Sequence, residues 1–87
     1  MKELFVEKKE LHVAQKHYTL RYVLLTQSLE GGSQFAVSVL NEDTGEQAQV
    51  SNLTTDRKLA MEFFVKIVQG LVTPVSLFEV AEDFVAQ

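Results

Sequence analysis

The stretch that decides the fold is HYTLRYVLLTQSL, which spans residues 17–29. Apolar or aromatic side chains occupy every second position of its first part, which is the period of a β-strand that buries one face. The alternate positions are polar at first but carry Val23 and Leu25 later, so the middle is apolar on both faces. We therefore predict a central strand that is covered on both sides near Val23. The apolar or aromatic side chains at every second position are Tyr18, Leu20, Tyr22 and Leu24.

A second strand precedes this stretch. Apolar and charged residues alternate over positions 4–13, but the parity of the apolar positions changes between Val6 and Leu11. A β-bulge adds one residue and shifts the pairing by one. We therefore predict a bulge near Glu7 to Lys9, which would return both apolar sets to one face, and a short hairpin connection at Ala14 to Lys16.

Two more strands are predicted after the central one. The adjacent Gly31 and Gly32 favour a hairpin turn, because glycine adopts the positive φ angles that such turns require. A strand from Gln34 to Leu40 follows, and a polar turn that contains Gly45 leads into a short strand from Glu46 to Val50. The last strand alternates polar and small apolar residues, which is typical of a sheet edge.

Past Asn52 the apolar period changes from 2 to 3.6, which predicts a helix. Thr54 or Thr55 is the predicted N-cap, and Gly70 is placed to end the helix in a left-handed conformation after Gln69. The residues on its apolar face are Ala60, Phe63, Phe64, Ile67, Val68 and Leu71.

A second helix is predicted from the dipeptide Thr73 and Pro74 to the C-terminus, since proline is favoured at the first helical position after an N-cap. Its water-facing side is predicted to carry Ser76, Glu79 and Asp83. Its predicted buried stripe comprises Leu77, Phe78, Ala81, Phe84 and Val85.

The element order is therefore ββββαα. It predicts an α+β fold in which a four-stranded antiparallel meander carries two C-terminal helices on one face. The chain has 87 residues, of which 46% are hydrophobic and 23% charged, a composition typical of globular rather than disordered proteins. We predict one domain over residues 1–87, with the sheet in residues 1–50 and the helical pair in residues 54–87.

The sequence offers no sign of export or of a membrane span. Residues 1–10 are too charged for a signal peptide, and the apolar stretch from Leu59 to Val72 is interrupted well before the ~20 residues that cross a bilayer. The chain also has no cysteine, so neither disulfides nor thiolate metal sites form. These features predict a cytoplasmic protein that is stabilised by packing.

No motif in the sequence predicts an enzyme, and we assign no catalytic residue, no metal and no cofactor. His12 and His17 would approach each other across the first hairpin, but a zinc site needs three or four ligands and only Glu10 is near in sequence. The carboxylates of the last helix, Glu79, Glu82 and Asp83, are expected to form a solvated acidic surface or a surface that faces a partner.

The charge is divided unevenly along the chain. Residues 1–29 have a net charge of +2 and residues 30–87 a net charge of −6. A basic hairpin that bears Phe5, Tyr18 and Tyr22 resembles a sheet that stacks single-stranded bases on aromatic rings. The overall acidity argues against nucleic acid as a partner, because affinity for it depends on neutralising phosphates.

Both ends of the sequence resemble a known protein family. The closing LVTPVSLFEVAEDF, residues 71–84, together with the opening MKEL, residues 1–4, and a hairpin rich in Tyr and Leu, resembles a family of short bacterial proteins. That family is a domain of unknown function with N-terminal strands and a C-terminal V-T-P-x-x-L helix. The resemblance implies a bacterial cytoplasmic protein and transfers no catalytic residue.

The hydrophobic content exceeds what one sheet face and two helices are expected to hide. We therefore predict a protein-interaction or regulatory module that forms a homodimer, or binds another protein, through an uncovered sheet face. The residues predicted for this face are Tyr18, Tyr22, Val23 and Leu25. The alternative is a small-ligand-binding protein or minor enzyme with a pocket between sheet and helices near His17, Tyr18 and Tyr22.

Overall fold

The computed structural model describes residues 1–85, and its elements follow the predicted order. Four strands form one antiparallel sheet in which each strand pairs with the next along the chain, and two helices come after them. The fold class is therefore α+β, as predicted. The elements are β1 (Lys2–Val13), β2 (Lys16–Leu29), β3 (Gly32–Asn41), β4 (Gln47–Thr54), α1 (Arg57–Gln69) and α2 (Leu77–Val85). The predicted end of the last helix at the C-terminus lies partly on residues 86–87, outside the described residues.

Both helices lie on one face of the sheet, which we call the covered face. On β2 this face carries Leu20, Tyr22 and Leu24, all with no exposed surface. These side chains pack against α1 through Phe63 and Ile67, which are equally buried. The face opposite the helices, here called the open face, receives the odd-numbered residues of β2. The rest of the buried core is Phe35, Val37, Val39, Leu53, Ala60, Phe64, Val68, Leu77 and Ala81.

The predicted bulge in the first strand lies elsewhere. The register of β1 against β2 shifts between Glu3 and Phe5, not near Glu7 to Lys9. Phe5 therefore shares the covered face and contacts Phe64, with 6.4 Å between ring centroids. After this early bulge the pairing is regular, so Val6 lies on the open face and Leu11 on the covered face. The change of parity in the sequence reflects two faces with different apolar residues, not a bulge between them.

The β1–β2 hairpin turns through Ala14 and Gln15, which have φ angles of 49° and 67°. Two successive positive φ angles belong to the tight hairpin turns whose twist matches that of the strands. Neither residue is a glycine or an asparagine, so the sequence marks the position of this turn but not its geometry. The next hairpin uses Gly31 at φ +85°, as the glycine pair predicts.

The boundary between sheet and helices differs from the prediction. β4 continues to Thr54, beyond the predicted end at Val50, because Leu53 is buried against the helices. The N-cap of α1 is Asp56, not Thr54 or Thr55. Its side chain accepts hydrogen bonds from the backbone N–H groups of Lys58 (2.9 Å) and Leu59 (3.2 Å).

The end of α1 also has an unexpected residue in the left-handed conformation. Gly70 has a φ of −83°, so the left-handed cap predicted there is wrong, and Leu71 adopts a φ of 51° instead. The N–H of Leu71 donates to Val68 O (3.2 Å) and that of Val72 to Ile67 O (3.0 Å). These are the two bonds of a Schellman motif, which satisfies the last helical carbonyls.

The second helix begins three residues later than predicted. Thr73 to Ser76 form a turn, in which the N–H of Ser76 donates to Thr73 O (3.1 Å), and α2 starts at Leu77. Neither helix of the described residues is long and apolar enough to cross a membrane.

Candidate functional site

Tyr22 is part of the core and not of an exposed surface. It has no exposed surface, and its hydroxyl donates a hydrogen bond to the backbone carbonyl of Val72 (2.9 Å). Burial raises the pKa of Tyr22 to about 12, because the phenolate would lose its hydration. The prediction that Tyr22 lies on an uncovered sheet face is therefore wrong. Its role is to tie the centre of the sheet to the segment between the two helices.

The four residues predicted for a single sheet face lie on two faces. Tyr18 pairs with Leu11 on the covered side and is half-buried, whereas Val23 and Leu25 lie on the open face. Successive residues of a strand point to opposite faces, so the parity of the residue numbers was the signal that separates them. For the same reason Tyr18 and Tyr22 do not share a surface with His17.

The open face is largely polar and its apolar centre is already shielded. Val23 is only 8% exposed, and Leu25 is half-buried. Around them, Arg21 Nη2 lies 4.0 Å from Glu3 Oε1 and Lys8 Nζ lies 3.3 Å from Glu42 Oε1. The depression at its centre has a volume of about 160 Å³. This face offers less apolar surface than the sequence predicts.

Exposed apolar residues occur in the strands and in the helical segment alike, and two of them lie on α2. Phe78 is 56% exposed and Val85 is 59% exposed, although both were predicted to be buried. A helix of nine residues cannot turn all its apolar side chains inward, and the inner positions of α2 belong to Leu77 and Ala81. Phe78 and Val85 therefore lie on a second stripe of the helix, seven residues apart.

We call this surface the α2 patch and define it as Phe78, Glu82 and Val85 of α2 with Leu59 of α1. Phe78, Glu82 and Val85 are spaced at i, i+4 and i+7, so they lie along one side of the helix. Leu59 is 42% exposed. The sequence signal for this stripe was the i, i+4, i+7 spacing with a charged residue in its middle, which is unsuited to a core.

Two adjoining grooves give the α2 patch its shape. One, of about 140 Å³, lies between α2 and β4 and is lined by Phe78, Glu82 and Val85 together with Leu53 of β4. The other, of about 380 Å³, is lined by Leu53, Leu59 and Val85 among others. Leu53 and Val85 belong to both grooves, so the two form a continuous concave surface with an apolar floor.

The rim of the α2 patch is acidic. Glu79, Glu82 and Asp83 are all exposed, as predicted for a solvated acidic surface. Glu62 of α1 lines the larger groove from the opposite side. An apolar surface that is bordered by carboxylates favours ligands that combine apolar groups with positive charge.

A separate group of side chains meets at the tip of the first hairpin. Glu10 Oε2 lies 3.4 Å from His17 Nε2 and 3.9 Å from His12 Nε2. The two imidazole rings are 4.7 Å apart between centroids. The sequence predicted that the histidines approach each other, and the structure places the Glu10 carboxylate within 4 Å of both.

Comparison with known proteins identifies a family but no function. The model of a family described as "Family of unknown function (DUF6514)" matches residues 1–87. No curated protein and no solved structure matches the chain.

Proposed function

This chain belongs to the family of unknown function DUF6514, and we propose that it is a small protein-interaction module that binds a partner through the α2 patch. The observation that carries this proposal is the exposure of Phe78 (56%) and Val85 (59%) beside an apolar groove. Large apolar side chains that are exposed together on a small domain mark interaction surfaces. We propose the module as non-enzymatic.

The acidic rim indicates the chemistry of the partner. An isologous contact between two copies through the α2 patch would bring Glu82 of one copy against the carboxylates of the other, and such like-charge contacts are costly. A partner segment with one or two apolar anchors flanked by Lys or Arg would instead fill the groove and pair with Glu79, Glu82 and Asp83. We therefore propose an amphipathic basic segment as the ligand.

The homodimer through the sheet face, expected from the sequence, stays a prediction. Its apolar contribution would come from Val6, Val23 and Leu25, of which Val6 is the most exposed at 42%. The charged pairs on the same face would have to be desolvated in such a contact, which lowers its gain. Light scattering over a wide concentration range measures the oligomeric state directly. A mass equal to one chain at every concentration would contradict the homodimer.

The alternative of a ligand pocket near His17, Tyr18 and Tyr22 is not favoured. His17 lies on the face opposite Tyr18 and Tyr22, and Tyr22 has no exposed surface to offer a ligand. The aromatic residues of the hairpin are equally unsuited to stacking nucleic-acid bases, since Tyr22 is buried and Phe5 contacts Phe64. A bacterial cytoplasmic setting, implied by the family resemblance, completes the proposal.

Binding of a defined peptide tests the proposal. The probe is a fluorescent amphipathic peptide with Leu and Phe on one face and Lys on its flanks, and its anisotropy is measured against the protein. Val85→Ser and Phe78→Ser should each weaken binding about tenfold, because truncating an apolar anchor costs more than 1 kcal/mol. The matched control is Val6→Ser, which makes the same change on the open face and should leave affinity unchanged.

The charge of the partner is tested in the same assay. Glu82→Lys should weaken binding of the Lys peptide, and a peptide with Glu in place of Lys should bind poorly to the unmodified protein. Equal loss of binding in Val6→Ser and Val85→Ser, or no binding at all, would contradict the proposal.

A further inference from the structure

The tip of the first hairpin brings three potential metal ligands together. The ligand atoms of Glu10, His12 and His17 all lie within 4.8 Å of one another. All three residues are exposed, with 66%, 71% and 47% of their side-chain surfaces accessible. This group lies in the hairpin, apart from the residues that form the α2 patch, and the proposed function does not use it.

The backbone holds these residues on one face. Glu10 and His12 are two positions apart on β1, so both side chains point to the open face. His17 is the direct partner of His12 in the β1–β2 ladder, which places its side chain beside that of His12 on the same face. The turn at Ala14 and Gln15 fixes this register, because only a two-residue loop separates the strands.

The separations suit a metal ion with imidazole and carboxylate ligands. Zinc binds His nitrogen at about 2.0 Å and carboxylate oxygen at about 2.0–2.2 Å in a tetrahedral arrangement, so neighbouring ligand atoms lie about 3.3 Å apart. The pair Glu10 Oε2 and His17 Nε2 is at 3.4 Å, and Glu10 Oε2 and His12 Nε2 at 3.9 Å. Small rotations of these exposed side chains bring all three to ligating distance.

We propose that Glu10, His12 and His17 bind one Zn²⁺ ion, with His12 and His17 coordinating through Nε2, Glu10 through a carboxylate oxygen, and water in the fourth position. Imidazole nitrogen suits zinc among the divalent metals, and three protein ligands with one open position is a recurrent zinc arrangement. The carboxylate adds the negative charge that two neutral imidazoles lack. Because the site is open to solvent, the fourth position is available to a ligand from outside the chain.

Calorimetric titration of the whole chain with ZnCl₂ tests this site. The expected result is one ion per chain. Affinity should fall at least about tenfold in His12→Ala, His17→Ala and Glu10→Gln, since each removes one of three ligands. The control is Glu7→Gln, which removes a carboxylate from the same strand on the covered face, and it should bind zinc as the unmodified protein does.

Imidazole NMR signals provide a second readout. Zinc should shift the ring resonances of both histidines together and saturate at one equivalent, while circular dichroism verifies that each variant is folded. Absence of binding at millimolar zinc would overturn the proposal. So would binding that survives in all three ligand variants, or binding that Glu7→Gln weakens as much as Glu10→Gln does.

Discussion

The open face of the sheet and the α2 patch both carry exposed apolar residues, but the two surfaces differ in what surrounds them. On the open face, Val23 is 8% exposed and charged side chains of both signs pair with each other around it. On the α2 patch, Phe78 is 56% exposed and the charged residues that line its two grooves, Glu62 and Glu82, are carboxylates. The charges of the open face pair with each other, whereas the carboxylates of the α2 patch are available to a positively charged partner.

This difference shows where the surplus of hydrophobic residues has gone. The sequence predicted that it lies on the sheet, because the middle of β2 is apolar on both faces. In the structure Val23, at the centre of that second face, is only 8% exposed, and part of the surplus lies on α2, which has too few inner positions for its apolar residues. The substitutions below separate the two surfaces from the core and from each other.

The largest effect is expected for neighbouring leucines on opposite faces of β2. Leu24 has no exposed surface and belongs to the core, so Leu24→Ala should lower the free energy of unfolding by roughly 2 to 5 kcal/mol. Leu25 is half-buried on the open face, and Leu25→Ala should cost about 1 kcal/mol. Urea denaturation measures both, and equal losses would contradict the assignment of one covered and one open face.

A second large effect is expected at alkaline pH. The pKa of Tyr22 is about 12 in the folded protein against 10.0 for the ordinary group, so its contribution to stability is complete below pH 10. As the pH rises from 10 to 12 the unfolded chain releases this proton first, and the stability should fall by roughly 2 to 3 kcal/mol.

The control for this pH dependence is Tyr22→Phe. It should lose about 1 kcal/mol at neutral pH with the hydrogen bond to Val72 O, but show a shallower decline above pH 10. Thermal unfolding at a series of pH values measures the difference. Parallel pH profiles for the two proteins would show that Tyr22 is not buried as described.

A smaller effect is expected for the ion pairs of the open face. Glu3→Gln removes the partner of Arg21 at 4.0 Å, and because both side chains are partly exposed the loss of stability should stay below about 1 kcal/mol. The effect should shrink further in high salt. A loss of several kcal/mol in urea denaturation would mean that this face is covered in solution.

The smallest effect on stability is expected at the α2 patch itself. Phe78→Ser and Val85→Ser should change the free energy of unfolding by no more than about 0.5 kcal/mol, because both side chains are already exposed in the folded chain. Chemical denaturation checks this, and a large loss for either variant would assign the residue to the core as the sequence had predicted.

The order of the strands and helices can be predicted from the sequence far better than the residues that form the exposed surfaces. Strand and helix periods predict ββββαα, and parity alone separates Tyr22 from Val23. The left-handed conformation of Leu71 has no local signal, because residues other than glycine and asparagine seldom adopt it. The exposure of Phe78 depends on how α2 lies against β4, and a period of 3.6 cannot tell which of two apolar stripes faces the sheet. Glu10 lies near both histidines because of the register between β1 and β2. The turn residues Ala14 and Gln15 do not predict that register, since neither is typical of a tight hairpin turn.

The most direct test of the α2 patch as the binding surface is a map of backbone amide shifts on titration with the amphipathic Lys peptide. The account predicts that shifts concentrate on α2 around Phe78, Glu82 and Val85 and on the adjoining residues of β4, and that Phe78→Ser requires about tenfold more peptide to produce them. Shifts that concentrate instead on the open face, around Val6, Val23 and Leu25, would contradict it.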